Sequence, residues 1–200
     1  ECHWAVTTTL GRGLLKWAKR IGAPILGLTA TPRTSADGVF KVVYEMQFQR
    51  LVDGGFLARP VVQEPFKTNI QWDARTAGKD FDFQGDSLQE LAENSRRNKL
   101  IVDHYLANRG QFGKTIVFAC TIDHANRLAK LFGERGIPAR AIHSYNEDAQ
   151  NQRHLEDFRE SNVQVACNVA MLTHGIDVPD AKTVFLCRPT LSDILYAQMI

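Results

Sequence analysis

Apolar residues recur every three or four positions in several stretches of the chain, which is the period of an amphipathic helix. In the first stretch Leu14, Trp17 and Ile21 share one face, and Gly22 then offers a stop. Glycine also follows the second and fourth stretches closely. The pattern predicts helices over residues 14–21, 48–52, 88–108, 124–134 and 148–160.

Short apolar runs of strand length separate these helices. After residue 88, short apolar runs alternate with helices, which is typical of a parallel sheet that is covered on both faces. In such sheets ligands bind at the carboxyl ends of the strands, so we expect function in the loops after residues 29, 119, 143, 167 and 187. The predicted strands are residues 25–29, 39–46, 115–119, 139–143, 163–167 and 183–187.

The periodic pattern weakens between residues 59 and 87, where extended and loop-like sequences predominate. We interpret this segment as a crossing between two domains. The sequence therefore predicts a first domain over residues 1–58, an interdomain crossing over 59–87 and a second domain over 88–200.

Composition is that of an ordinary globular chain, with 44% hydrophobic and 23% charged residues and a net charge of +2. This charge neither indicates nor excludes a nucleic-acid partner. The sequence contains no run of 18 apolar residues, so no membrane span is predicted. It also shows no signal peptide, and we therefore expect a cytoplasmic protein. The four cysteines lack metal-ligand or CxxC spacing; three close apolar runs and are predicted to be reduced core thiols. No metal site is predicted.

Five short motifs follow one another along the chain: "ECH" at 1–3, "LTATP" at 28–32, "VFACT" at 117–121, "MLTHGIDVP" at 171–179 and "YAQMI" at 196–200. In this order they resemble the end of motif II, then motifs III, IV and V and the first half of motif VI of superfamily 2 DExH-box helicases and translocases. The motif V sequence is most similar to the ResIII-like motors of type I and III restriction enzymes and to related bacterial or phage DNA helicases.

This resemblance implies RecA-like parallel sheets flanked by helices, with ATP and Mg²⁺ as cofactors and nucleic acid, DNA by the motif V resemblance, as the partner. Residues 1–58 would be the tail of a first RecA-like domain and 88–200 most of a second. The 200 residues contain no P-loop, GxxxxGK[ST], and the motif VI arginines are expected after Ile200. We therefore expect a piece of a larger motor that does not hydrolyse ATP by itself.

The resemblance also implies a role for individual side chains. Glu1 would orient the water that attacks ATP, and His3 would link the nucleotide site to the rest of the motor. The candidates named next include threonines, for which two structural alternatives stay open. A threonine at a strand end can bond a nearby backbone group, and a threonine directly before a helix can cap that helix. The remaining candidates are Thr29, Thr31 and Gln198 for coupling, Gly175 and Asp177 for nucleotide binding, and Thr121 and Thr173 for nucleic-acid phosphates.

Three functions are compatible with these motifs. The first is an ATP-dependent DNA helicase or translocase that couples hydrolysis between two RecA-like domains to movement. The second is the motor subunit of a restriction enzyme that translocates duplex DNA, with a nuclease or other subunits as partners. The third is an inactive helicase-like module that only binds nucleic acid or assembles.

Two further groups of residues have ordinary structural interpretations. The compact basic cluster of Arg96, Arg97 and Lys99 is interpreted as a solvated helix face rather than a phosphate track. The aromatic residues of the crossing are interpreted as packing against the second domain rather than stacking on bases: Trp72, Phe81 and Phe83.

Overall fold

The computed structural model describes residues 5–6, 8–29, 39–63, 68, 70–77, 82–172 and 178–200. The chain divides into two compact units, residues 1–63 and 64–200. The division lies within the segment 59–87.

Two helices of the first unit confirm the helical spacing of the sequence. Helix α1 (Thr9–Ile21) begins earlier than residue 14, because the Thr8 hydroxyl accepts a hydrogen bond from the Gly11 amide at 3.0 Å and caps the first turn. It ends at Gly22, whose φ of 69° is the left-handed conformation that glycine adopts without a steric penalty. Helix α2 (Phe48–Asp53) ends at Gly54, as the sequence indicates.

The two strands predicted in this unit are not observed. Residues 23–29 and 40–47 have no regular secondary structure, and Leu26 and Leu28 are each 72% exposed. An apolar run forms a strand only where another strand accepts its hydrogen bonds, and these residues pair with no strand among those described. Apolar content alone is therefore misleading here.

The second unit opens with a small antiparallel hairpin followed by helices. Strand β1 (Thr76–Ala77) pairs with β2 (Asp82–Phe83). The helix predicted over 88–108 is two helices, α3 (Gly85–Glu93) and α4 (Ser95–Ala107), followed by the single turn α5 (Arg109–Phe112). Asn94 causes the break, because its backbone is extended and its side-chain oxygen accepts from the Arg97 amide at 3.0 Å to cap α4.

A four-stranded parallel sheet forms the centre of this unit, with strand order β4-β5-β3-β6. The connection from β3 to β4 and that from β4 to β5 each contain a helix, which is usual between parallel strands. Its elements are β3 (Thr115–Phe118), α6 (Ile122–Glu134), β4 (Ala139–Ile142), α7 (Asp148–Arg159), β5 (Val165–Asn168), β6 (Thr183–Leu186) and α8 (Asp193–Met199).

Both faces of the sheet are covered, so the predicted α/β fold class is confirmed. Alternate residues of β3 point to opposite sides, with Val117 in one hydrophobic cluster and Phe118 in the other. On the Val117 side α4 and α6 contribute Tyr105 and Phe132, whose rings meet edge to face at 5.3 Å. On the other side α7 contributes Phe158, which is fully buried.

A third, smaller hydrophobic cluster joins the hairpin segment to helix α3 and to the loop after β3. The rings of Trp72 and Phe83 lie 4.8 Å apart and pack against Leu88, Leu91 and Cys120. The Trp72 indole also donates a hydrogen bond to the Ser87 carbonyl at 2.7 Å. The interpretation of Trp72 and Phe83 as packing residues is confirmed, whereas Phe81 lies outside the described residues.

Candidate functional site

The four parallel strands of the second unit end at one edge of the sheet. Phe118, the last residue of β3, pairs with Asn168 of β5 and with Leu186 of β6, and Ile142 of β4 also pairs with Asn168. The loops that follow these residues therefore begin side by side. We call this edge the carboxyl edge, and it is where an open parallel sheet binds its ligands.

Three of the predicted site residues are described, and the others are not. Thr121 follows β3 at the carboxyl edge, Gln198 is half-buried on α8, and Thr29 is half-buried in the irregular segment of the first unit. The remaining candidates lie outside the described residues: Glu1, His3, Thr31, Thr173, Gly175 and Asp177.

Thr121 caps helix α6. Its hydroxyl oxygen accepts a hydrogen bond from the His124 amide at 3.2 Å, and its own backbone is extended. The cap alternative is therefore confirmed. A contact between Thr121 and a nucleic-acid phosphate stays a prediction. The residue lies at the carboxyl edge, where such a contact would be made.

A buried hydrogen-bonded network fixes the start of α6 against the neighbouring helices. The fully buried His124 ring accepts at Nδ1 from the Cys120 amide (3.1 Å), so its proton is on Nε2, which donates to the Asn98 side-chain oxygen (2.9 Å). Asn98 in turn donates to the Ala92 carbonyl at 2.9 Å. Burial, together with Arg97 and Arg127 nearby, lowers the pKa of His124 to about 3, so the ring is neutral at physiological pH.

Asn168 organises the start of the loop that contains motif V. The side chain is fully buried at the end of β5, where its nitrogen donates to the Val117 carbonyl (3.1 Å) and its oxygen accepts from the Leu172 amide (3.3 Å). The preceding Cys167 is also fully buried. Residues 169–172 are thus tied to the sheet directly before the candidate residues 173–177.

The loop after β4 is fixed in a similar way by Asn151 of α7. Asn151 accepts from the His143 amide and donates to the His143 carbonyl, at 3.3 and 2.9 Å. The His143 Nε2 atom lies 3.1 Å from the Asn126 side-chain oxygen on α6. His143 is 5% exposed, so its side chain belongs to the interior of the second unit.

Arg97 does not belong to a solvated face. Its Nη2 atom donates to the Cys187 carbonyl directly after β6, and its Nη1 atom is buried. The interpretation of the basic cluster is therefore wrong for Arg97, whereas Arg96 and Lys99 are exposed on α4 as expected. Helical position alone does not show that a long side chain turns inward to bond a strand end.

The cysteines of the second unit are buried, free thiols, as the sequence predicts. Burial raises the pKa of Cys120 and raises that of Cys167 well above its ordinary value. The same cause raises the pKa of Cys187 to about 12. These thiols therefore remain protonated and unreactive at neutral pH.

The described residues form neither a metal-binding cluster nor a membrane-spanning helix. Within the ranges given above, no three His, Cys, Asp or Glu side chains lie together in an arrangement that could hold a metal ion. None of the helices that the structure describes is both long and apolar enough to cross a bilayer.

Polar residues at the carboxyl edge were overlooked in the sequence, although one signal was present. Asn98 and His124 lie at positions where the helical pattern expects an inward-facing residue, and Asn168 directly follows a buried apolar run. A buried polar side chain must find hydrogen-bond partners, so such positions indicate a network. The partners themselves come from distant parts of the chain.

A parallel sheet with helices on both faces and ordered loops at its carboxyl edge is the architecture of doubly wound α/β domains, which include RecA-like domains. Residues 96–200 match the family described as helicase conserved C-terminal domain. This match covers more than half of the chain, and the chain belongs to that family, among the superfamily 2 helicases.

Two longer proteins are similar in sequence to most of this chain. The chain is 30% identical over 189 residues to the 51.5 kDa protein of Lactococcus phage (isolate 7-9), covering 88% of this chain and 39% of that protein. It is 28% identical over 183 residues to the putative mitochondrial ATP-dependent helicase irc3 of Schizosaccharomyces pombe, covering 88% of this chain and 29% of that protein. The chain thus spans less than half the length of these relatives.

A solved structure shows the same fold. Saccharomyces cerevisiae Dbp5, in a structure bound to RNA and ADP BeF3, superposes with a TM-score of 0.52 at 18% identity, covering all of this chain and 47% of that one. At this identity the likeness shows the fold alone.

Proposed function

We propose that the chain is part of an ATP-dependent DNA helicase or translocase of the DExH-box type, closest to the ResIII-like motors. Hydrolysis of ATP would be coupled to movement along the nucleic acid. The observation that carries this proposal is where the described parts of two motif-like sequences begin. The "VFACT" sequence spans the end of β3, and Met171 and Leu172, the first residues of the "MLTHGIDVP" sequence, come after the end of the neighbouring strand β5.

The proposed division of the chain follows the motif order. Residues 1–58 would be the C-terminal part of a first RecA-like domain, residues 59–87 the crossing, and residues 88–200 the second domain. Thr29, Thr31 and Gln198 would couple hydrolysis to conformational change. Thr121 and Thr173 would contact phosphates of the nucleic acid, which positions the strand without selecting a sequence.

ATP and Mg²⁺ would supply the phosphoryl group and the charge neutralisation in the complete motor. Among the described residues no group of three or more His, Cys, Asp or Glu side chains could hold a metal ion, and the 200 residues contain no P-loop. Gly175 and Asp177 are the proposed nucleotide contacts of this chain, and Glu1 would hold the attacking water. We therefore expect residues 1–200 alone to show no ATP turnover.

The test is ATP turnover by the full-length protein that contains this chain, measured alone and with single-stranded DNA, double-stranded DNA or single-stranded RNA. The proposal expects turnover that DNA stimulates more strongly than RNA. Stimulation by duplex DNA without strand separation would instead support the restriction-enzyme motor.

Two results would contradict the proposal. Turnover stimulated by RNA and not by DNA would replace the DNA motor with an RNA motor. Absence of turnover with any of the three nucleic acids, combined with retained binding, would favour the inactive binding module.

A further inference from the structure

We infer that Asp82 and Arg188 form a clamp that positions helix α8, and with it Gln198, for nucleic-acid-stimulated ATP turnover; this inference rests on the proposed function. Asp82 lies on β2, in the segment predicted to cross between domains. Arg188 follows β6 at the carboxyl edge of the sheet. The two residues are 106 positions apart in sequence and join through an ion pair with 2.8 Å between Nη2 and Oδ2.

The Asp82 carboxylate bonds both the arginine and the backbone that leads to α8. Its Oδ2 atom accepts from Arg188, while its Oδ1 atom accepts from the Leu191 amide at 3.3 Å and from the Phe83 amide at 2.9 Å. One carboxylate therefore holds two points of the short connection between β6 and α8. Loss of this side chain removes the acceptor for two backbone amides and one guanidinium.

The other end of this connection is anchored on the sheet. The backbone amides of Cys187 and Arg188 both donate to the Phe118 carbonyl at 3.0 Å. Arg97 adds a bond from its guanidinium to the Cys187 carbonyl. Because these contacts immobilise the start of the connection, the position of Leu191 depends on the hydrogen bond that Asp82 accepts.

Helix α8 begins directly after the clamp. Ser192 caps its first turn, with the hydroxyl accepting from the Leu195 amide at 3.2 Å. A seven-residue helix is too short to be stable by itself, so its direction depends on what holds its ends. Met199 is buried at its far end, and Gln198 lies beside it.

The clamp is also firmly attached to the second unit on its hairpin side. Trp72 and Phe83 pack against α3, and the Ser87 hydroxyl donates to the Asp73 carbonyl and accepts from the Arg75 amide. A displacement of the hairpin would therefore reach the start of α8 through Asp82. This gives the crossing segment a mechanical connection to the motif VI helix.

The ion pair is shielded from water, which makes it more than a surface contact. The side chains of Arg188 and Asp82 are 22% and 23% exposed, and the Arg188 Nε atom is buried. Exposed pairs contribute little, whereas removal of one partner from a shielded pair leaves an uncompensated charge.

The chain supplies a matched control at the opposite edge of the sheet. Lys114, directly before β3, pairs with Asp180 in the loop before β6, and the lysine side chain is 8% exposed. Asp180, which is 56% exposed, carries the other charge of this pair, so Asp180→Asn breaks a second ion pair of the same unit without touching the connection to α8. Any effect that Asp82→Ala shows and Asp180→Asn lacks belongs to the position of the clamp.

The test uses the full-length protein with Asp82→Ala, Asp180→Asn and the charge reversal Asp82→Arg with Arg188→Asp. Hydrogen exchange of the amides in residues 188–199 is measured first, without nucleotide or nucleic acid. We expect exchange in this segment to become roughly tenfold faster in Asp82→Ala, since a hydrogen bond to a charged acceptor is lost, and to stay unchanged in Asp180→Asn. The charge reversal should restore part of the protection.

The second measurement is ATP turnover with saturating nucleic acid. Asp82→Ala should lower kcat by roughly tenfold with little change in the KM for ATP, because a misplaced α8 affects the stimulated step rather than nucleotide binding. Asp180→Asn should keep the wild-type kcat, because Asp180 does not contact the connection to α8.

The outcomes separate this inference from the proposed function. Unchanged exchange in Asp82→Ala would overturn the clamp. Faster exchange with wild-type kcat would overturn its positioning role. If the wild-type protein shows no turnover, the proposed function fails and the positioning role fails with it, whereas faster exchange still shows that Asp82 holds the start of α8.

Discussion

His124 is a neutral imidazole in the interior of the second unit, and its buried state makes stability depend on pH. Its pKa is about 3 when folded, below the ordinary value of 6.5, so the unfolded chain binds more protons than the folded chain between these values. The contribution of His124 is therefore fully present above pH 6.5 and decreases as the pH falls towards about 3. The expected loss is at most about 1.4 kcal/mol per pH unit.

Urea unfolding of wild type and His124→Gln at pH 7 and pH 5 measures this dependence. The variant should be less stable at pH 7 and lose less stability on acidification than wild type. Ile101→Val is the control, because it removes one buried methylene from α4 at a cost of about 0.5–1.5 kcal/mol that does not depend on a titrating group. An equal loss on acidification in wild type and His124→Gln would show that the ring does not stay neutral.

The three buried cysteines should not react while the protein is folded. Iodoacetamide requires a thiolate, and burial raises the pKa of Cys120, Cys167 and Cys187. We expect mass spectrometry to find these three residues unmodified in native buffer at pH 8 and fully modified in urea. Rapid native modification of Cys120 would contradict its placement between the sheet and α3.

At the scale of the element, Thr121 combines a structural and a proposed functional role at the start of α6. Aspartate caps a helix as well as threonine does, and its charge favours the helix N-terminus. The same charge repels a phosphate. Thr121→Asp should therefore keep the free energy of unfolding within about 0.5 kcal/mol of wild type, whereas Thr121→Ala should lose about 1 kcal/mol.

Nucleic-acid affinity separates the two roles. If Thr121 contacts a phosphate, Thr121→Asp should weaken binding about tenfold at low salt, with a smaller difference at high salt. Thr8→Asp makes the same change at the capped start of α1, where no nucleic-acid contact is predicted, and should bind as wild type does. If the two aspartate variants bind nucleic acid with equal affinity, Thr121 caps α6 and does not contact a phosphate.

Whether an element could be predicted depended on where its stabilising contacts come from. Helix ends at Gly22 and Gly54, and the cap at Thr121, follow from local residues, and the sequence indicated them. Asn94 interrupts a helix that the apolar spacing predicted as continuous, because capping competes locally with helix continuation. Residues 25–29 have strand composition but no strand partner among the described residues, and pairing is not a local property.

At the scale of the whole molecule, the parallel sheet followed from the alternation of strands and helices. So did the expectation that several loops meet at its carboxyl edge. The hydrogen bonds of Asn98, His124 and Asn168 did not, because their partners come from distant parts of the chain. The Asp82–Arg188 clamp joins residues 106 positions apart, and neither residue differs by sequence context from an ordinary surface charge.

Glu1→Gln in the full-length protein tests most directly the proposal that this chain belongs to a motor driven by ATP hydrolysis. Glutamine keeps the size of glutamate and removes the carboxylate proposed to orient the attacking water. We predict that nucleic-acid-stimulated ATP turnover falls by about 10² or more, while the Kd for nucleic acid stays within a few-fold of wild type. Turnover by Glu1→Gln equal to that of wild type would contradict the assignment of Glu1 and the catalytic account built on it.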